Sequence, residues 1–349
     1  MAALSHPERV ANLYPSIASG LFDSGEQDKA LELLDKAGSA ADEIEHSEEK
    51  IRALCDVGSG FLEAKRNDKA IETFDKARVN AENLDNVHRD VLLSAISLGF
   101  MRAGSVDLAD RTLDSIADKT QIANTLLGFS RELWRKDEQT EALEALDEAY
   151  AIVRSQREKE TRDSKAKFAV FSAIAVQFAR FEKGERAIGI AQEIPDENEQ
   201  MKALGQIGQI LTIQEHNELA AQAIQAIPED SHRMFALVSL SDAADQKRSR
   251  EMAESFLEEA AVLAETVPQL ASRTSVYVEL AERFQKFGRT DQAREISHTN
   301  LETIATIRDE STRAVSLANL SELYAAADFD TMPNEREILQ QLIQKADMG

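Results

Sequence analysis

Apolar and polar residues follow one another along this chain with a helical rhythm, and the rhythm itself recurs. Three segments share one shape: Asp28-Lys29-Ala30, Asp68-Lys69-Ala70 and Asp291-Gln292-Ala293. With the alanine as anchor, eight positions align: Ala30, Ala70, Ala109, Ala142, Ala187, Ala220, Ala253 and Ala293. Their intervals are 40, 39, 33, 45, 33, 33 and 40 residues. Recurrence at this period predicts stacked helix hairpins.

Counting from each anchor gives rows of like residues. Position −12 is small throughout: Ala18, Gly58, Ser97, Ser130, Ala175, Gly208, Ser241 and Ala281. Position −16 is large and apolar: Tyr14, Leu54, Leu93, Leu126, Phe171, Leu204, Leu237 and Tyr277. Position −9 carries Leu21, Phe61, Phe100, Leu133, Phe178, Leu211 and Phe284, with Ala244 the exception. Position +4 carries Leu34, Phe74, Leu113, Leu146, Ala191, Ile224, Leu257 and Ser297. The pattern predicts two antiparallel helices per unit. The small residue of the first helix and the anchor of the second mark the closest backbone approach, and the bulky residues fill the space around it. One hairpin cannot bury its apolar face alone, so neighbours stack.

This arrangement resembles the tetratricopeptide repeat family over nearly the whole chain. The second unit matches best, with Leu54, Gly58, Phe61, Ala70, Phe74 and Ala77 at the family's signature spacing. The family's proline after the second helix is mostly missing, and several units exceed its usual length. The resemblance implies an all-α class: a right-handed α-solenoid of about eight and a half hairpins, closed by a C-terminal capping helix within 331–349. It also implies a concave groove lined by the first helices, in which a protein or peptide partner is held.

Residues 1–349 read as a single array. Pro195 and Pro228 stand eight residues after their anchors and Pro268 fifteen after its own, so repeats of 33 and 40 residues should differ by two turns of second helix. Ser5-His6-Pro7-Glu8 has the spacing of a helix start. Pro15 falls inside that first helix and should kink or fray it. Arg313 to Ala326 reads as a ninth first helix, with Leu317, Ser321 and Tyr324 in register. Pro333 suits the first turn of the last helix. The charged stretch 154–165 is the one candidate hinge, read as two long helices meeting.

Charge narrows the choice of partner. Net charge is −23, which repels phosphate backbones and anionic membranes. No nucleic acid and no membrane are expected as partners. A surface so acidic serves solubility or salt tolerance, or meets a basic partner. The start of the sequence shows no signal peptide and no stretch could span a bilayer, so a cytoplasmic location is the default.

Chemistry is sparse. Cys55 is the single cysteine, and the six histidines fall in different units without zinc-binding spacing. No glycine-rich phosphate loop occurs. No cofactor, no metal and no enzymatic activity are expected.

Candidate binding residues come from the first helices. Position −7 reads Asp23, Glu63, Arg102, Arg135, Arg180, Ile213, Gln246 and Lys286. Three consecutive arginines interrupt an acidic chain. Arg131 joins them from position −11, Trp134 from position −8, and Met101 precedes Trp134 in the same row. Met101, Arg102, Arg131, Trp134, Arg135 and Arg180 therefore form the candidate groove site, suited to an acidic or phosphorylated segment. The competing reading is that these arginines complement the dipole at helix ends and that Trp134 is core. The lysine and asparagine set by which some tetratricopeptide proteins grip a carboxylate is absent. A second basic row at position −20 (Lys50, Arg89, Lys167, Arg233, Arg273, with Arg313 in the ninth unit) reads as structural, paired with acids of the preceding second helix. A non-catalytic scaffold or adaptor is the first expectation, and a self-assembling module forming homo-oligomers is the alternative.

Overall fold

The computed structural model describes residues 6–156 and 164–346, and the regular structure of these residues is helical, without a strand among them. The chain divides into two units, Met1–Ile174 and Ala175–Gly349. In the first unit α1 (Pro7–Asp23) pairs with α2 (Gln27–Asp42), and α3 (Ser47–Glu63) with α4 (Asn67–Glu82). There too α5 (Arg89–Ala103) pairs with α6 (Val106–Asp114), and α7 (Lys119–Arg135) with α8 (Gln139–Ser155). The division runs through α9 (Ser164–Arg180), which precedes α10 (Gly184–Gln192). In the second unit α11 (Glu197–Ile213) pairs with α12 (Asn217–Gln225), α13 (Asp230–Gln246) with α14 (Arg250–Thr266), and α15 (Leu270–Lys286) with α16 (Thr290–Thr306). The last two helices are α17 (Glu310–Ala326) and α18 (Pro333–Ala346). The fold is all-α and tetratricopeptide-like.

The anchor rule holds in side-chain detail. All eight anchor alanines are fully buried, and every residue of the small row is buried. Phe74, also buried, shows why the row must be small. A Cβ added at Gly58 would stand 2.8 Å from its ring, and one at Gly99, in the next hairpin, 2.6 Å. Phe74 thus fills its own hairpin and the neighbouring one, edge-on to Phe100 with ring centres 5.9 Å apart. Where the small residue is Ser97, its hydroxyl donates to the carbonyl of the anchor Ala109 at 2.7 Å.

Consecutive first helices pack directly on one another: α1 on α3, α3 on α5 and α5 on α7 in the first unit, α11 on α13, α13 on α15 and α15 on α17 in the second. Several second helices also touch the first helix that follows, as α2 does α3, α4 does α5 and α14 does α15. Position −13 is the core of this stacking: Val57, Ile96, Phe129, Ile207, Leu240 and Leu280 are all buried there.

Second-helix length follows the interval. The 33-residue intervals contain helices of 9 residues (α6, α10, α12), and the longer ones helices of 16 or 17 (α2, α4, α8, α14). Pro195, Pro228 and Pro268 each follow a helix end. After α6, which has no proline, Asp90 accepts from the Ala117 and Asp118 N–H groups, and Asp118 then caps α7.

Every hairpin turns in the same way. The residue at position −5 has positive φ in all eight units: Gly25, Lys65, Gly104, Asp137, Glu182, Glu215, Arg248 and Gly288. Asp328 repeats it before Pro333, which therefore occupies the ninth anchor position. There α18 begins, packing on α16, with its buried Glu335 accepting from the Tyr324 hydroxyl and the Met332 N–H, each at 2.7 Å.

Two expectations need correction. α1 runs unbroken through Pro15, which is buried; packing on α2 and α3 outweighs the lost hydrogen bond, a cost of about 3 kcal/mol. The −20 cations mostly do not pair with acids of the preceding second helix. Lys50 donates to the Asp42 carbonyl, Lys167 to that of Gln156, Arg273 to that of Val267 and Arg313 to that of Ile307. Arg89 reaches the Ser115 carbonyl, while Arg233 pairs with Asp230 on its own helix. The reason is that the last carbonyls of a helix lack partners and form the negative end of its dipole, so a cation there satisfies both. Ser5 of the proposed start motif lies outside the described residues, and His6 occupies the N-cap without a side-chain bond. Of the candidate hinge, 157–163 lies outside them too.

Candidate functional site on the first helices

A first helix buried on two sides keeps one stripe for solvent. Positions −18, −14, −11 and −7 are spaced by four, three and four residues, so they share that stripe. Position −7 is exposed in all eight units. Position −8, by contrast, is buried or half-buried in each.

In the first unit this stripe changes character along the stack. On α1 and α3 it reads Asn12, Ser16, Ser19, Asp23 and then Arg52, Asp56, Ser59, Glu63. On α5 and α7 it reads Val91, Ala95, Leu98, Arg102 and then Asn124, Gly128, Arg131, Arg135, without a carboxylate. Leu98 lies against α7, because a Cβ on Gly128 would meet it at 2.3 Å.

The arginines converge on a residue that sequence reasoning missed. Glu132 is buried, 6% exposed, at position −10 of α7. Its Oε1 accepts from Arg102 Nε at 2.9 Å across the α5–α7 contact, and also from Arg135 on its own helix. The two guanidinium groups are about half and two-thirds exposed, so water screens much of the attraction. Around Glu132 two cations meet one anion, and Arg131 stands exposed beside them in sequence. The sequence held one signal for Glu132: the preceding three hairpins place glycine at that position, Gly20, Gly60 and Gly99.

The other candidates separate. Met101 is buried, and its carbonyl accepts from Lys136 Nζ at 3.0 Å. Trp134 is half-buried. Arg180 ends α9 in the second unit, exposed at the same register position. The second unit ties its stripe with ion pairs between consecutive first helices: Arg283 to Asp242 at 2.7 Å and Lys286 to Asp245 at 2.6 Å.

Among the described residues no helix is long and apolar enough to cross a membrane, and no cluster of three or more His, Cys, Asp or Glu is placed to hold a metal. Burial pushes the Cys55 thiol up to about 12, with the neighbouring Asp56 adding to it.

No protein-family model and no curated protein matches the chain. Solved structures resemble it at low sequence identity. The apo form of the quorum sensor NprR from B. thuringiensis is 17% identical, with 85% of this chain and 88% of that one covered, at a TM-score of 0.32. Ton1535 from Thermococcus onnurineus NA1 is 14% identical over 90% and 91%, at 0.35. A Rap protein complexed with Competence and Sporulation Factor is 15% identical over 86% and 94%, at 0.29. The function proposed below rests on this chain's own geometry, not on these likenesses.

Proposed function

We propose that the chain is a non-catalytic interaction scaffold that holds a peptide or protein segment along its first helices. On this reading the stretch from α5 to α7 takes an acidic or phosphorylated segment through Arg102, Arg131 and Arg135, with Trp134 adding apolar area. Arg180 extends the same register position into the second unit.

One observation carries the reading: the exposed stripe of α5 and α7 bears three arginines and no carboxylate in a chain of net charge −23. Guanidinium binds carboxylate or phosphate through paired N–H donors. Glu132 supports the reading too. Its one oxygen Oε1 accepts from both Arg102 and Arg135, which orders the two guanidinium groups and lowers the ordering cost when a ligand arrives. The acidic surface elsewhere disfavours any anionic segment that misses this stretch.

The test is fluorescence anisotropy with a labelled 12-residue Asp/Glu-rich peptide and its phosphoserine counterpart. Arg135→Ala and Arg131→Ala should each weaken binding about tenfold, with intact helical signal. Equal affinity for wild type and both variants would sink the reading.

A further inference from the structure

α1 carries the features by which a hairpin receives the second helix of a preceding hairpin, and among the described residues nothing covers them. Position −13, buried in the other hairpins, is Ile17 here, 49% exposed. Leu13, at position −17, is equally exposed, whereas Ala53 and Leu92 in that row are buried. Position −10 is Gly20. In the next hairpins its equivalents are seats for a large side chain of the preceding second helix. A Cβ on Gly60 would meet Leu34 of α2 at 2.5 Å, and one on Gly99 would meet Phe74 of α4, yet a Cβ on Gly20 would meet nothing within 4 Å.

Polar register positions repeat the pattern. α4 is joined to α2 by two lysines seven residues apart, Lys69 to Asp35 and Lys76 to Asp42 at 3.0 Å. The same positions on α2 are Lys29 and Lys36, which among the described residues pair with Glu26 and Glu32 of their own helix region. Beside this face lies a groove of about 420 Å³ lined by Pro7 and Val10 of α1 and by Glu32, Asp35, Lys36 and Glu43 of α2.

We infer that this end of the first unit is a docking surface for an amphipathic helix of another protein. The inter-hairpin interfaces specify what fits. The incoming helix seats a large apolar side chain over Gly20, as Leu34 sits over Gly60. It carries a carboxylate one residue later and another seven residues beyond, to meet Lys29 and Lys36. A second copy of this chain does not supply such a helix at its last element. At the positions of Leu34, Asp35 and Asp42 relative to the anchor, α18 carries Glu337, Ile338 and Lys345.

The probe is a capped, fluorescein-labelled peptide of the sequence of residues 27–42, which has this pattern, titrated into the full chain. Binding is expected, and Gly20→Leu, which occupies the seat from an open position, should weaken it about tenfold or more. Lys29→Glu with Lys36→Glu should weaken it as well. A peptide with lysine in place of both of those carboxylates should recover affinity for the charge-reversed chain. Absence of peptide binding, or binding indifferent to Gly20→Leu, overturns the inference. So does a concentration-dependent dimer in light scattering that Gly20→Leu abolishes, since the occupant would then be a second copy. Binding of the anionic peptides at the arginines should be untouched by Gly20→Leu, which separates this surface from that site.

Discussion

α1 and α18 stand at opposite ends of the repeat pattern and handle exposure in opposite ways. α1 keeps the full stacking register of an interior hairpin, so Leu13 and Ile17 meet water. α18 abandons the register: its anchor is Pro333, and Glu337 and Gln340 are exposed at positions +4 and +7, where Phe74 and Ala77 are buried in α4. Its own burial is shifted to Glu335 and Leu342. The positions that receive a neighbour in interior hairpins are polar and exposed on α18, whereas on α1 they are apolar and exposed.

The largest expected effect tests that contrast at one register position. Gly99→Leu forces a side chain into the Phe74 ring and should destabilise the first unit by about 3 kcal/mol. Gly20→Leu enters open space and replaces a helical glycine, so stability should hold or rise by about 0.5–1 kcal/mol. Urea denaturation of both variants decides the matter, and a large loss for Gly20→Leu would mean that α1 is not open.

At the other end, Glu335→Ala removes the acceptor of Tyr324 and Met332. Leaving a half-buried hydroxyl and N–H unpaired should cost about 1 kcal/mol. Burial and this acceptor hold the Tyr324 hydroxyl well above the ordinary tyrosine range, so it donates throughout the neutral range. Hydrogen exchange should quicken within residues 333–346 and remain slow in α15 if α18 is a separately attached cap.

Glu132 offers a comparable test in the middle of the first unit. Glu132→Gln keeps the shape and one acceptor but removes the charge between Arg102 and Arg135. Because both guanidinium groups are substantially exposed, the cost should be about 1 kcal/mol. Affinity for an anionic peptide should fall, because Arg102 and Arg135 lose the carboxylate that orders them. A rise in affinity would show that the charge of Glu132 opposes the ligand more than its ordering of the arginines helps.

The sequence made the hairpins legible because close approach admits few solutions: a small residue facing alanine, with bulk at the neighbouring turns. The rule placed both helices of all eight predicted hairpins, the two second-helix lengths and the register of α17. It missed contacts made by backbone. The carbonyls that receive Lys50 and Arg273 have no residue signature, so an acid partner was expected instead. At the candidate site the exposed arginine row was legible from spacing alone. Burial of Glu132 was not, since a charged residue in a first helix usually faces water. The turn was hidden for a similar reason, because five of its eight left-handed residues are not glycine.

That turn supplies the smallest comparison. Gly25 and Gly104 adopt positive φ without steric cost, whereas Lys65, at the same position between α3 and α4, holds φ 55° with a Cβ. An L-residue there loses about 1 kcal/mol relative to glycine in the folded state. Glycine gives part of it back through the greater freedom of its unfolded chain, by about 0.5–1 kcal/mol. Lys65→Gly should therefore change stability by no more than about 0.5 kcal/mol, in the stabilising direction. Gly104→Ala, the reverse change at the same turn position, should lose no more than about 0.5 kcal/mol, since the strain that enters is partly offset by the reduced freedom of the unfolded chain. Thermal melts of the two variants measured side by side test the assignment. If Lys65→Gly destabilises as much as Gly104→Ala, the lysine side chain is contributing through its own contacts, and the common turn is held by more than its backbone conformation.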